Sequence, residues 1–383
     1  MRVTGDWYHR PETRAVCDCL GTAGHQALFV GGCVRNDLLG APVGDIDIAT
    51  DATPQEVMRL AREAGLKPVP TGIDHGTVTV ISEGRPHEIT TFRRDVETDG
   101  RHATVAFSDR IEEDAERRDF TMNALYADAE GEVVDPLGGL EDLRAGRVRF
   151  IGDAAARLRE DYLRALRFFR FTAWYGDPER GFDPEGLAAI AAHLDGLDTL
   201  SRERVGAEML KLLSAPDPAP AVAAMEQTGV LTRLLPGATA RTLPVLVHLE
   251  QEAGLPPLPL RRLATLGAQN MPDALRLSKA QTRHVELLQH HLDRDTPPGE
   301  LGYRTGSETA RDVLFLRAAA LGDTPPMEAL MRAEEGARSN MPVRARDFMP
   351  AYQGAELGQL MKELERRWIE SGFALTREDL LKG

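Results

Sequence analysis

The sequence predicts an α+β chain: a mixed sheet-and-helix module of about 150 residues, then a remainder built from helices alone. Three observations predict it. β-branched segments separated by turns fill the first part, Ala/Leu/Arg-rich stretches at helical spacing fill the part after Gly152, and Pro/Gly clusters divide the second part into blocks. In the first part, Ala27 to Val30 leads into Gly31-Gly32 as a short strand. Asp45 to Ile48 alternates acid with isoleucine, and Thr77 to Ile81 and His87 to Phe92 read as further strands. Thr53-Pro54 followed by Gln55 to Glu63 is a capped helix start with Pro at the first helical position. In the second part, Ala154 to Trp174, Glu203 to Leu213 and Leu357 to Ile369 read as helices. Breaks are expected at Ala215 to Pro220, Gly254 to Pro259 and Asp295 to Gly299.

Composition bounds what such a chain can do. Of 383 residues, 42% are hydrophobic and 28% charged, which excludes disorder throughout. No stretch approaches the roughly 18 apolar residues of a membrane span, and Met1 to Arg14 has no apolar signal core, so a chain that neither spans a membrane nor is exported is expected. Cys17, Cys19 and Cys33 are too few and wrongly spaced for a zinc site or a disulfide framework, and read as reduced thiols in a cytoplasm. The net charge of −14 argues against non-specific coating of nucleic acid, which draws on neutralised phosphates. That charge is uneven. Residues 1–250 hold 28 basic and 41 acidic side chains, and residues 251–383 hold 18 and 19, so a locally basic face is permitted in the second segment.

The glycine pair supplies the first chemical signal. A strand that ends in Gly31-Gly32 and opens a helix exposes backbone N–H groups where a phosphate can approach, with Arg35 in reach of the same anion; the alternative is a tight turn with a surface arginine. Asp45-Ile46-Asp47-Ile48 follows. Strand alternation puts both carboxylates on one face, where they repel unless a cation lies between them, and hard oxygen ligands suit Mg²⁺. A D-x-D after a phosphate-holding turn supplies both parts needed for phosphoryl transfer, against the plainer reading of a solvated acidic edge. Glu88 is a candidate third carboxylate from a neighbouring strand, or else an exposed strand charge. In Arg117-Arg118-Asp119-Phe120-Thr121-Met122-Asn123-Ala124 the arginines would neutralise a triphosphate, oriented by Asp119 and Asn123, unless this is an ordinary charged helix start.

The last cluster is Glu160-Asp161-Tyr162-Leu163-Arg164, continued by Arg167 and Arg170. On one helix, Asp161 and Arg164 are i,i+3 neighbours, and an ion pair there is worth only about 0.2–0.5 kcal/mol. A second use fits better. Cytosine and adenine each offer an amino donor beside a ring-nitrogen acceptor, so an acceptor from Asp161 and donors from Arg164 would accept C and A and leave polar groups unpaired against U or G. Selection of that kind needs no template.

Taken together these motifs resemble class II CCA-adding tRNA nucleotidyltransferases and the bacterial poly(A) polymerases that share their motifs. The matching segments are Gly31-Gly32-Cys33-Val34-Arg35, Asp45-Ile46-Asp47, Arg117 to Ala124, and Glu160 to Arg164 with Arg167 and Arg170, in the family's order. Weaker matches are Glu203-Arg204-Val205 with Glu208, Val343 to Asp347, and Leu357 to Phe373. The resemblance implies a polymerase-β-like nucleotidyltransferase head (1–150), an all-helical neck that reads the base (151–215), a helical body (216–300) and a helical, RNA-binding tail (301–383). It implies Asp45 and Asp47 as metal ligands for Mg²⁺. It also implies nucleotide contacts from Gly31, Gly32, Arg35, Arg118, Arg167 and Arg170, with Asp161 and Arg164 reading the base. Arg93 to Asp109 falls where the family has a mobile loop needed for A addition. One residue departs from the pattern: Asn36 stands where the family usually has Asp, and Asp37 follows it.

The expected activity is addition of C, C and A to the 3′ end of tRNA from CTP and ATP with release of pyrophosphate. The alternatives are a poly(A) polymerase acting on other RNA ends and a catalytically silent RNA-binding homologue. The sequence sets no oligomeric state.

Overall fold

Short, fully apolar runs and period-two alternation build the sheet at the front of the chain. In the computed structural model, which describes residues 1–99 and 102–382, contacts divide the chain into two units. One comprises Met1–Leu212 and Gln227–Leu234, the other Leu213–Glu226 and Leu235–Gly383.

The first unit carries a seven-stranded sheet. Its strands are β1 (Leu28–Val30), β2 (Asp47–Thr50), β3 (Lys67–Gly72), β4 (Thr77–Ser82), β5 (Arg85–Thr91) and, after a separate hairpin of β6 (Arg93–Asp99) and β7 (His102–Phe107), β8 (Tyr126–Ala127) and β9 (Val133–Val134). The order is β3-β4-β5-β2-β1-β8-β9. β2 and β5 run parallel and the other neighbours antiparallel. β1 is buried along its whole length, as an apolar run covered on both faces must be. On β5 the alternation sends His87, Ile89 and Thr91 inward and leaves Glu88 open. The expected helix after Thr53 forms over Pro54–Glu63, with Thr53 Oγ1 accepting the Glu56 N–H at 3.3 Å.

Two expectations need correction. The strand expected at Asp45 starts at Asp47, because Asp45 sits at an exposed bend; the burial alternation nevertheless holds, with Ile46 and Ile48 buried and both acids more open. The helix expected over Ala154 to Trp174 is two helices, Ala154–Glu160 and Leu163–Tyr175, with Asp161 extended between them (φ −155°, ψ 105°). Asp161 makes the break itself: its Oδ1 accepts the Leu163 N–H at 3.1 Å and its carbonyl accepts the Arg164 N–H at 3.0 Å. A short acceptor side chain competes in this way with helical hydrogen bonds.

No strand follows Val134 among the described residues. In the second unit the expected breaks at Gly254 to Pro259 and Asp295 to Gly299 fall between helices Leu243–Glu252 and Pro259–Ala264 and between Lys279–Leu292 and Pro298–Thr305. Its interior holds two wholly buried arginines. Arg261 donates to Glu250 Oε1 and Asp312 Oδ1, both at 2.7 Å, and Arg262 donates to Glu250 Oε2 at 2.8 Å and to the Leu213 carbonyl at 2.8 Å. Tyr303, Trp368 and Phe373 pack ring against ring towards the C-terminal end. Among the described residues no helix is long and apolar enough to cross a membrane, and the three cysteines are free.

Candidate active site

Gly31 ends β1 with φ 71°, a conformation that L side chains resist, and the helix Gly32–Leu38 starts at the next residue. A Cβ on Gly31 would lie 3.6 Å from Arg118 Nη1, so the glycine turn and the Arg118 guanidinium share one spot. β2 lies beside this turn: Cys33 Sγ is 3.8 Å from the Asp47 carbonyl. The parallel register then sets Asp47 level with Glu88 on β5.

Glu88 and Asp45 both act on the charge of Asp47, and these three acids differ from the other acids around them. Asp114 receives Arg117 and Arg118, Asp119 receives Arg167, and Glu208 receives Arg170. The carboxylates of Asp45, Asp47 and Glu88 have no hydrogen-bond or ion-pair partner among the described residues. Burial, reinforced by Glu88 and Asp45 and opposed by Arg118, pushes the Asp47 carboxyl up to about 6. Negative charge that Arg118 offsets only in part fits a divalent cation. No three acidic, His or Cys side chains converge into a cage among the described residues.

The cationic side of the site is tightly wired. Arg118 donates to Asp114 Oδ2 at 2.9 Å and to the Tyr126 hydroxyl at 3.1 Å. Burial opposes its charge, but Asp114 and Tyr126 outweigh that and hold the guanidinium above its ordinary range. Asn123 joins two arginines, because its Oδ1 accepts from Arg35 while its Nδ2 donates to Asp119 Oδ1 at 2.9 Å, and Asp119 Oδ2 accepts from Arg167 Nε at 2.7 Å. Burial would raise the Asp119 carboxyl; Arg167, Asn123 and the Phe120 N–H together keep it low. Sequence reasoning expected Asp119 and Asn123 to orient Arg117 and Arg118 of their own segment; instead Asp114 holds those two, and Asp119 and Asn123 hold Arg167 and Arg35.

Arg35 is only 6% exposed and forms no ion pair with a carboxylate among the described residues. Its donors go to Asn123, to Asn36 Oδ1 at 3.0 Å and to the Tyr175 hydroxyl at 3.0 Å, all neutral acceptors. Burial lowers its pKa in consequence. Asp119 offsets part of that cost from a distance, but a buried cation without an ion-pair partner is expensive, so Arg35 would favour an incoming negative group. The Asn36 departure is also explained. Asn36 accepts from Arg35, and Asp37 turns to the N-terminal segment, accepting the N–H groups of Thr4 and Gly5 and Trp7 Nε1, each at 2.7 Å.

Asp161 and Arg164, expected to read the base, depart from the geometry expected of one helix. Asp161 Oδ2 accepts from Arg204 Nη2 at 2.6 Å, whereas Arg164 pairs with Glu160 and donates to the carbonyls of Arg157 at 3.1 Å and Arg117 at 2.9 Å. The two are neighbours across a helix break, joined through the backbone, with their side chains bonded to other groups.

Asp114, Tyr126 and Tyr175 escaped sequence reasoning. Asp114 had a usable signal, since it precedes Arg117 and Arg118 by three and four residues on a helical segment. Tyr175 had none, lying 140 residues from Arg35. The hairpin of Arg93 to Asp109 pairs Arg93 with Phe107 and Asp95 with Val105, while its residues 100 and 101 lie outside the described residues.

Residues 27–149 match the family model described as the poly A polymerase head domain, and residues 181–241 match that of a probable RNA and SrmB-binding site of polymerase A. A CCA-adding enzyme of Geobacillus thermodenitrificans is 44% identical over 220 residues, 57% of this chain and 52%, about half, of that one. The mitochondrial CCA tRNA nucleotidyltransferase 1 of Homo sapiens is 30% identical over 386 residues, 93% of this chain and 86% of that one. Among solved structures, the Bacillus stearothermophilus CCA-adding enzyme in complex with CTP superposes with a TM-score of 0.74 at 29% identity, covering 94% of each chain.

Proposed function

The chain belongs to the family of CCA-adding enzymes and poly(A) polymerases, and from that premise we propose that it adds C, C and A in turn to the 3′ end of tRNA, taking the nucleotides from CTP and ATP. In each step the terminal 3′-oxygen bonds to the α-phosphorus, the bond from that phosphorus to the bridging oxygen breaks, and pyrophosphate leaves. The observation that carries this reading is the set of carboxylates without a partner among the described residues, Asp45, Asp47 and Glu88, beside a glycine turn and a buried arginine that forms no ion pair among them.

Asp45 and Asp47 would hold a divalent cation, Mg²⁺ by the hardness of their oxygens, with Glu88 adding negative charge at its edge. What the cation supplies when bound is Lewis-acid activation of the 3′-hydroxyl and charge stabilisation at the departing pyrophosphate. The remaining work falls to the chain's own groups. The backbone at Gly31 and Gly32 accepts close approach of the triphosphate, and Arg118, Arg35, Arg167 and Arg170 neutralise its oxygens. Asp161 and Arg164 present an acceptor and donors to the pairing edge of C or A, with Asp161 oriented by Arg204. The division into a catalytic head (1–150), a neck (151–215), a body (216–300) and an RNA-gripping tail (301–383) belongs to the same proposal.

The test uses tRNA lacking its 3′ triplet, offered CTP alone, ATP alone and both. CCA addition requires two C residues from CTP alone and a terminal A only after them. Repeated A from ATP alone would establish the poly(A) alternative, and no incorporation in any arm would establish a silent binder. Asp47→Ala should abolish transfer while the far-UV circular dichroism stays unchanged.

A further inference from the structure

We infer that Phe171 and Tyr175 form an aromatic seat that sets three guanidinium groups, those of Arg35, Arg167 and Arg170, on the triphosphate, and that these two rings are positioning residues for both nucleotide substrates. The inference rests on reading those arginines as triphosphate ligands and identifies what holds them in place.

The geometry converges on one ring. The Cζ atoms of Arg35, Arg167 and Arg170 lie 5.1, 5.1 and 4.4 Å from the Phe171 centroid, all within the distance at which a cation is attracted by a ring face. Tyr175, one turn further along the same helix, lies 4.2 Å beneath Arg35 and accepts its Nη2–H at 3.0 Å. The two rings are 5.6 Å apart. The seat is fixed from behind: Phe171 is 4% exposed and its ring lies 5.3 Å from that of Phe120, itself buried among Phe150 and Phe168.

Three like charges on one ring repel, and only two have acids of their own, Asp119 for Arg167 and Glu208 for Arg170. Arg35 forms no ion pair among the described residues; it feels Arg170 as a like charge and Asp119 only as an unbonded opposite one. Held together without an anion, these side chains would splay towards water. An aromatic face attracts each guanidinium without neutralising it, so the positive potential is preserved for a ligand. A carboxylate in the place of Phe171 would hold the arginines equally well and cancel the charge they present. An aliphatic side chain would fill the space and let them disperse.

The experiment compares Phe171→Leu, Phe171→Tyr, Tyr175→Leu and Tyr175→Phe in the full chain, with KM and kcat measured for CTP and for ATP and the thermal midpoint recorded for each. Phe171→Leu should raise both KM values about tenfold with kcat within about twofold, and Phe171→Tyr, which keeps the ring, should restore them. Tyr175→Leu should raise both by about threefold, with Tyr175→Phe between it and the native chain. Equal effects on CTP and ATP are expected because the seat serves the triphosphate and not the base. A Phe171→Leu protein with lowered thermal midpoint and native KM values would overturn the inference, as would a tyrosine at that position that fails to restore binding. If Phe171→Leu does not fold, the Tyr175 pair, at a half-buried position, decides by the same criteria. Arg35→Ala and Arg170→Ala are assayed alongside. Native KM values in those two would refute the triphosphate reading itself, whereas raised values there with native values in the ring variants would refute the seat alone.

Discussion

Replacing Asp47 with Asn should make the metal-free protein more stable and catalytically dead at once. The Asp47 carboxyl is pushed from an ordinary value near 3.8 to about 6, by burial first and then by Glu88 and Asp45. A raised carboxyl binds its proton more tightly in the folded chain than in the unfolded one, so folding stability falls as pH rises from about 4 through about 6. At about 1.36 kcal/mol per pH unit the penalty at neutral pH approaches about 3 kcal/mol, and about 2 kcal/mol once the partial exposure of the side chain is allowed for. Asn keeps the shape and has no charge to desolvate. Differential scanning calorimetry in EDTA at pH 7.5 should then show Asp47→Asn melting about 4–8 °C above the native protein, with the difference vanishing at pH 4. Adding Mg²⁺ should narrow the gap by stabilising the native protein alone. If Asp47→Asn melts at or below the native midpoint at pH 7.5 in EDTA, the carboxylate carries no penalty from burial and from Glu88 and Asp45, and the physical case for a cation site fails with it.

Other outcomes follow from the same contacts. Arg118→Ala strips the main partner from Asp114, which is 1% exposed, and should cost about 3–5 kcal/mol in urea unfolding, along with a rise in nucleotide KM. Asp161→Ala removes the acceptor offered to the base and should raise UTP and GTP incorporation relative to CTP by about 10–100-fold in competition assays; unchanged discrimination would remove Asp161 from base reading. Glu250→Ala leaves Arg261 and Arg262 buried with two fewer carboxylate contacts and should destabilise the second unit by about 3–5 kcal/mol, seen as an earlier calorimetric transition with nucleotide KM unchanged.

Much of the site could be read from local pattern because its parts are local. A glycine pair after an apolar run, two acids at period two and a capped helix start are each decided by residues within a few positions of one another. The D-x-D alternation survives in the burial of Ile46 and Ile48 even though the strand begins two residues later than expected. The helix break at Asp161 was hidden, because a side chain that hydrogen-bonds its own backbone leaves the surrounding Ala/Leu/Arg periodicity intact. Glu88 could be named as an acid on a strand, but its place beside Asp47 depends on a parallel pairing across 41 residues, which period-two alternation does not specify.

The sequence by itself determined the order of elements, the change from mixed sheet to helix near Gly152, and the residue types that carry the chemistry, since each of these reflects local propensity and spacing. Only the tertiary structure decided which charges are neutralised and which are left exposed to one another. It gave Asp114, Asp119 and Glu208 their arginines, withheld any from Asp45, Asp47 and Glu88, and brought Arg35 onto the rings of Phe171 and Tyr175. The physical reason is that electrostatic interactions act through space at a few ångströms, without regard to separation along the chain. An acid becomes structural or functional according to what folding sets beside it.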